Sequence, residues 1–497
     1  MKYISTRDNY RPVPFAEAIR LGMVPSGGLF VPEKIPELSC EDLDHMVGSS
    51  YRETAFLILQ EYLTDFSEGE IKGALARAYN STNFDNPEIA PLYKLTSGQY
   101  ILELWHGPTA AFKDVALQLM PHLLKKALKK LDVKNELVIL TATSGDTGKA
   151  ALEGFRDVEG IKIIVFYPEQ GVSKVQKRQM ITTSGENTAV VGVEGNFDNC
   201  QTQIKNIFAD KEFKEQLQQS GFEFSSANSI NWGRLVPQIV YYFYSYAELC
   251  RREEIEPGAL VNITVPTGNF GNILAGYYAY RMGLPVKKFI CASNDNNILT
   301  DFMQSGLYDT DRKFKKTISP SMDILISSNL ERFLFEITDH QSELINEWYN
   351  RLLRTGKFEI DQKHLTEINK IMAGVCSREP ETKKTIHHIY QKYNYIVDPH
   401  TAVGIKSYQK YRAKSGDRTP VIIDSTASPF KFSPAVMEAL EGELKTKDEF
   451  AILKKLAHKT GSSIHPGLQG LETEKIRHDR SCSVEGIKGQ IKEILRL

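Results

Sequence analysis

Net charge is nearly absent from this chain: 61 Lys+Arg stand against 62 Asp+Glu over 497 residues. So even a balance excludes a global field that would draw the protein to nucleic acid or to an anionic membrane. An anionic ligand must be met by local basic groups. Extended apolar stretches are absent as well. No stretch approaches the roughly 20 apolar residues that span a bilayer, and Met1-Lys-Tyr-Ile-Ser-Thr-Arg7 lacks the apolar core of a secretory leader. Cysteine is sparse and scattered, at Cys40, Cys200, Cys250, Cys291, Cys376 and Cys482, with no C-x-x-C pair. No His/Asp/Glu set has metal spacing, and there is no internal repeat. The expectation is a soluble, cytoplasmic protein with reduced thiols.

What is present is an ordinary globular composition, 41% apolar and 25% charged, in a chain long enough for about three domains. Residues 1–92 read as an N-terminal unit, with helical patterns at 51–63 and 67–79 and a boundary near Asn86-Pro-Glu-Ile-Ala-Pro91. Residues 93–435 then alternate strand and helix. Apolar β-rich runs recur at 137–141, 161–167, 189–193, 260–265, 288–292 and 420–423. Most are near-continuous, as strands buried on both faces are. Such alternation predicts a mostly parallel α/β sheet. A helical face runs over 115–131, where Pro121 argues against a regular first turn. Residues 300–395 interrupt the rhythm as a helical insertion, with helices predicted at 332–349 and 364–375. Residues 436–497 read as a charged helical segment.

Five segments carry chemistry. In Glu103-Leu-Trp-His-Gly-Pro-Thr-Ala-Ala-Phe-Lys-Asp-Val115, Lys113 follows a Gly-Pro turn and a short apolar run. A lysine in an apolar pocket loses its proton near neutral pH and attacks carbonyls. That is the requirement for a Schiff base, most often with pyridoxal phosphate (PLP). Against this stands the plain reading of one more surface lysine, with Asp114 as a helix-start residue. His106 is a hydrogen-bonding member of the same loop. Thr141-Ala-Thr-Ser-Gly-Asp-Thr-Gly-Lys-Ala150 opens a helix with a dense set of donors: Thr143, Ser144, Thr147 and the amides of Gly145 and Gly148. It suits a carboxylate or phosphate, or it is an ordinary cap. Val265-Pro-Thr-Gly-Asn-Phe-Gly-Asn-Ile-Leu274 reads as a phosphate cup. Gly268 and Gly271 let the backbone curl, and Asn269 and Asn272 add side-chain donors. It has neither the Lys of a P-loop nor the dinucleotide spacing. Val421-Ile-Ile-Asp-Ser-Thr-Ala-Ser-Pro429 ends a strand in hydroxyls at the sheet edge where ligands sit. Arg234 stands alone in an uncharged stretch, fit for a phosphate monoester or for a surface ion pair.

Taken in order, these segments resemble the threonine synthases, PLP enzymes of fold type II. The likeness extends over nearly the whole chain. It includes Tyr3-Ile-Ser-Thr-Arg7, Pro25-Ser-Gly-Gly-Leu-Phe30, His106-Gly-Pro-Thr109 with Phe112-Lys-Asp114, Thr143-Ser-Gly-Asp-Thr-Gly148, Asn228-Ser-Ile-Asn-Trp-Gly-Arg234, Gly268-Asn-Phe-Gly271 and Ser425-Thr-Ala-Ser-Pro-Phe430. Thr267 and Asn272 depart from the frequent serine and aspartate, and both keep hydrogen-bonding ability. The resemblance implies a tryptophan synthase β-like fold with two parallel-sheet-rich subdomains and an N-terminal helical extension. It implies Lys113 as the lysine that carries PLP, the loop Gly268, Asn269, Phe270, Gly271, Asn272 around the cofactor phosphate, Thr426 at the pyridine nitrogen and Asp146 near the ring hydroxyl. It further implies Ser144, Gly145 and Thr147 at the substrate carboxylate, and Lys149 and Arg234 at the substrate phosphate. The implied reaction turns O-phospho-L-homoserine and water into L-threonine and phosphate, in a monomer or homodimer without nucleic-acid or membrane partners. Two rivals stay open: a phospho-lyase giving a keto acid and ammonia, and a non-catalytic anion-binding α/β protein.

Overall fold

The computed structural model describes residues 1–169 and 171–497. The apolar runs fold into two separate sheets. One has six strands in the order Met372–Cys376, Val286–Ser293, Val261–Pro266, Val421–Ser425, Gln99–Glu103 and Leu92–Thr96. All its pairs are parallel except Leu92–Thr96 against Gln99–Glu103. The other has five parallel strands in the order Arg480–Ser483, Thr188–Glu194, Ile161–Pro168, Glu136–Ala142 and Phe222–Ser225. Val261–Pro266 and Val421–Ser425 are buried at every residue, which is why they read as unbroken apolar runs and not as alternating ones. The parallel α/β expectation holds.

Before Arg480–Ser483 rejoins the second sheet, the chain crosses between the sheets twice. It leaves the first after Gln99–Glu103, runs through the helix Lys113–Lys130, and enters the second at Glu136–Ala142. It returns from Phe222–Ser225 through the helix Trp232–Arg251 to Val261–Pro266. Both crossings carry segments with candidate chemistry. The N-terminal helices Tyr51–Tyr62 and Glu68–Ala78 start on capping boxes, Ser50 with Glu53 and Ser67 with Glu70. Tyr3 and Tyr62 pack on Trp232 with ring centroids 5.6 and 5.9 Å away, so the N-terminal residues share one apolar core with the second crossing helix.

Several local expectations are corrected. Pro121 does not disturb its helix, which is continuous from Lys113 to Lys130. A proline leaves the carbonyl four residues back without its N–H partner. Here Gly154 lies against that Leu117 carbonyl so closely that a Cβ would come within 2.0 Å. The helix predicted over 332–349 is two helices, Leu330–Ile337 and Ser342–Thr355. Asp339 and His340 between them have φ of 51° and 66°, which no α-helix continues through. The helix predicted over 364–375 ends at Ile371, and Met372–Cys376 becomes an edge strand on Val286–Ser293. Ladder pairing overrides local propensity there, and Gly374 admits the Thr300 backbone, whose Cα a Cβ would approach to 2.8 Å. Strands Leu92–Thr96, Gln99–Glu103, Phe222–Ser225 and Arg480–Ser483 had no distinct sequence signal.

Candidate active site

Lys113 opens its helix at the end of a loop clamped against the strand end at Ser425. Phe112 N–H donates to the Thr426 carbonyl at 2.9 Å, and Ser428 N–H donates to the Ala110 carbonyl at 3.0 Å. Ala110 sits at φ 60°, a left-handed conformation that costs an L-residue about 1 kcal/mol and persists because its surroundings hold it. Asp114 fastens the loop from inside. It accepts from Thr109 N–H at 2.8 Å and from the Thr109 hydroxyl at 2.7 Å. Burial pushes its carboxyl up to about 6 against those two bonds. Gly107 is required there, because a Cβ would meet the Asp114 Cβ at 2.3 Å. His106 is the hydrogen-bonding member expected of this loop, with Nδ1 2.6 Å from Asp85 and Nε2 2.9 Å from Glu103. Burial would lower its pKa, but the two carboxylates raise it to about 9.

The Lys113 amine is largely buried and lies 3.3 Å from Asp146 Oδ2. Burial pushes it below the usual lysine value. Asp146 opposes this, and the positive charges of Lys431 and Arg234 add to it. Asp146 is the first residue of the helix Asp146–Phe155. Its Oδ1 takes Lys431 Nζ at 2.9 Å and Gln176 Nε2 at 2.8 Å, and Ser321 Oγ reaches Oδ2 at 3.3 Å. Burial alone would raise this carboxyl, but Lys431, Lys113 and Gln176 hold it well below the usual carboxylate range.

The helix start at 144–148 is a narrower cup than expected. Thr143 Oγ1 accepts from both Gly145 N–H and Gly148 N–H at 2.9 Å, so those amides are not free donors. Gly145 matters for another reason: at φ 135° a Cβ would strike the Gln176 side chain at 2.6 Å. The amides of Ser144, Asp146 and Thr147 have no partner among the described residues. They face outward at a positive helix end, where a carboxylate fits.

The loop after Val261–Pro266 fits a phosphate by the same logic. Phe270 takes φ 63° and caps the helix Gly271–Arg281. The loop's carbonyls are tied down: Ser327 Oγ holds that of Gly268 at 2.9 Å, and Asn329 N and Nδ2 hold that of Asn269, each at 3.1 Å. The amides of Asn269, Phe270, Gly271 and Asn272 have no partner among the described residues. Four converging N–H groups at a helix N-terminus make an anion cradle. Gly268 lacks a Cβ because Ser321 O would lie 2.5 Å from it. Ser321 therefore touches both the cradle and Asp146, and it joins the two halves of the site. One expected donor is corrected. The Asn272 side chain turns inward, where Nδ2 donates to Asp424 Oδ2 at 3.0 Å and Oδ1 accepts from Tyr241 and Tyr242. Burial pushes Asp424 up to about 7 against the bonds from Tyr242 and Asn272.

Thr426 lies beside the Lys113 loop, buried, its carbonyl engaged by Phe112. Arg234 is buried near Lys113 and Asp114. Its Nη1 donates to the Ala227 carbonyl at 2.6 Å, and its Nε has no partner among the described residues. Burial pushes its guanidinium down to about 10, with Asp114 opposing, so it stays cationic at neutral pH. Lys149 is not brought to this site. Its ammonium runs away from the helix start to Glu153 and to Thr183 Oγ1, the latter at 2.9 Å. There it lines a cavity of about 370 Å³ with Pro108, Arg156 and Arg477. Three site residues escaped the sequence reading. Lys431, fully buried between Phe430 and Phe432, carries the same signal as Lys113, a lysine with apolar flanks. Gln176 has no signal, and Ser321 lies in the stretch read as an insertion.

Known proteins match this arrangement. Three family models fit in series: threonine synthase N terminus over residues 2–79, pyridoxal-phosphate dependent enzyme over 87–348, and threonine synthase, C-terminal, over 401–471. The chain is 38% identical to threonine synthase of Pseudomonas aeruginosa, covering 89% of this chain and 91% of that protein. It is 44% identical to threonine synthase-like 1 of Homo sapiens over 86% of this chain, and it spans 58% of that protein's length. The crystal structure of PLP-bound threonine synthase from Brucella melitensis superposes with TM-score 0.88 at 35% identity, covering 100% of this chain and 99% of that one. The expected PLP fold type II is therefore the fold observed. A lysine buried beside a carboxylate, an amide cradle for a phosphate and likeness along the whole chain lead to one conclusion: this chain belongs to the threonine synthase family of pyridoxal-phosphate-dependent enzymes.

Proposed function

We propose that the protein is a threonine synthase, converting O-phospho-L-homoserine and water to L-threonine and phosphate in the last step of threonine biosynthesis. The observation that carries this reading is a buried amine, Lys113, on Asp146 at the start of the 144–147 cup, with Ser321 reaching the same carboxylate oxygen while its own carbonyl packs against Gly268 at the start of the 269–272 loop. When bound, PLP supplies the electron sink that lets protons leave carbon next to the substrate nitrogen. The chain's own groups do the rest. The amides of Asn269, Phe270, Gly271 and Asn272 hold the cofactor phosphate, and the Thr426 hydroxyl meets the pyridine nitrogen without charging it. The amides of Ser144, Asp146 and Thr147 orient the substrate carboxylate. Arg234, with an unsatisfied Nε, is the cation for the substrate phosphate, in preference to Lys149 with its committed ammonium. Lys113 is the base. Its depressed basicity favours a neutral amine, which takes a proton from Cα, passes it to the cofactor carbon joined to the substrate nitrogen and is then free to take one from Cβ. After phosphate leaves Cγ, protons return to Cγ and Cα, and water adds at Cβ with its second proton going to the released phosphate. We place the activity in the cytoplasm, in a monomer or homodimer. Among the described residues no helix is long and apolar enough to cross a membrane.

A second reading draws on the same groups: a phospho-lyase that yields a 2-keto acid, ammonia and phosphate needs the same buried amine at Lys113 and the same anion-binding amides. Incubation with O-phospho-L-homoserine separates the two. Phosphate released in step with threonine supports the synthase; phosphate with 2-oxobutyrate and ammonia supports the lyase; no phosphate at all rejects both.

A further inference from the structure

Two lysines share one carboxylate in this site. Lys113 approaches Asp146 Oδ2 at 3.3 Å, and Lys431 takes Asp146 Oδ1 at 2.9 Å. Their situations differ. Lys431 is 0% exposed and is held by a second acceptor, the Thr109 carbonyl, at 2.8 Å. Neither acceptor can donate a hydrogen bond, so the cage is built for a group with only protons to give. Among the described residues Lys113 has a single hydrogen bond, the long one to Asp146, and its ammonium lies 4.8 Å from the Phe112 ring centroid. A buried carboxylate flanked by two ammoniums carries one excess positive charge, and low-dielectric surroundings penalise that excess. The proton is given up at the less well-held amine.

We propose that Lys431 is a positioning residue: it supplies the countercharge to Asp146 and so leaves Lys113 free to act as the neutral nucleophile and base. This rests on the reading of Lys113 as the reactive amine. The charges facing Lys113 are Asp146, Lys431 and Arg234, and the order of their effects fits, since burial and the two cations lower its pKa while Asp146 raises it. Lys431 itself faces Asp146, Asp114 and His465. The same side chain is also a mechanical link. By holding the Thr109 carbonyl it ties the segment after Ser425 to the turn before Lys113, beside the Phe112–Thr426 and Ser428–Ala110 hydrogen bonds. Without Lys431, Lys113 becomes the sole counter-ion of Asp146 and is kept protonated by it.

The test uses the full chain stripped of PLP and needs no turnover. Acetylation of Lys113 is followed against pH by peptide mass spectrometry in wild type, K431M, K431Q and K431R. K431M removes the charge. K431Q removes it while keeping an N–H for Thr109 if K431M does not fold, and K431R keeps it. The expected result is a Lys113 midpoint raised by about one pH unit in K431M or K431Q, hence roughly tenfold slower labelling at pH 7.5, with K431R close to wild type. A midpoint unmoved by loss of charge, or moved as far by K431R, overturns the proposal. Borohydride reduction of the PLP-loaded wild type checks the underlying reading separately. Failure to find the cofactor on Lys113 sinks that reading, whereas the labelling midpoint bears on Lys431 alone.

Discussion

The two poles of the site are built from different materials. At the amine pole, Lys113, Asp146, Lys431 and Arg234 crowd charged side chains into a buried space. At the phosphate pole the groups offered among the described residues are the unpaired backbone amides of 269–272. The difference follows from the two tasks. Moving protons needs groups whose affinity for a proton can be tuned, and burial with neighbouring charge tunes it. Anchoring a phosphate needs a field that does not vary with pH, and a helix start with free N–H groups provides one. Substitutions should therefore alter pH behaviour at the first pole and geometry at the second.

The sharpest way to break this division is K113A. It should lower kcat by about 10⁴-fold while PLP still binds non-covalently through the cradle, as measured by turnover and by cofactor retention on gel filtration. Complete loss of PLP binding would show that the cradle cannot anchor alone. Next in size is D146N, which leaves the buried Lys431 ammonium without its carboxylate and should cost about 3 kcal/mol of stability. Its pH signature carries a sign. The Asp146 pKa is depressed in the fold, so its stabilisation is present above the unfolded carboxylate value of about 4 and fades as pH falls below it. Thermal melts from pH 7 to 3 should thus decline more steeply for wild type than for D146N; parallel curves would contradict the assignment. G268A comes third. Its Cβ would lie 2.5 Å from the Ser321 carbonyl, and backbone has to move, at about 2 kcal/mol. The expected outcome is a lower melting temperature and weaker PLP binding with no change in the pH profile; a shifted profile would mean the poles are not independent. N269A should do least. The Asn269 side chain is exposed and makes no hydrogen bond among the described residues, so PLP affinity should change by less than about threefold, within the usual ±0.5 kcal/mol of a surface substitution. A larger loss in a PLP titration would mean that side chains, and not amides alone, form the cradle.

Much of the fold was readable without coordinates, for local reasons. Strands such as Val261–Pro266 are buried on both faces and announce themselves as unbroken apolar runs. Lys113 was readable because three apolar residues precede it, and the two glycine-rich turns because each sits between a strand and a helix. The failures have a shared cause. Met372–Cys376 and Arg480–Ser483 are strands only because a partner strand receives them. Asn272 looked like a ligand group until Tyr241, Tyr242 and Asp424 claimed its side chain. Lys149 looked like a cation of the site until its own helix carried the ammonium towards Glu153.

Residue order alone was enough for which segments could do chemistry, because turn geometry, apolar flanks and helix starts are encoded within a dozen neighbours. It could not say which charges meet. Asp146 and Lys431 are 285 positions apart in the chain and 2.9 Å apart in space. Proton affinity depends on distance and on exclusion of water, and both exist only once the two sheets and their crossing helices have closed around the amine.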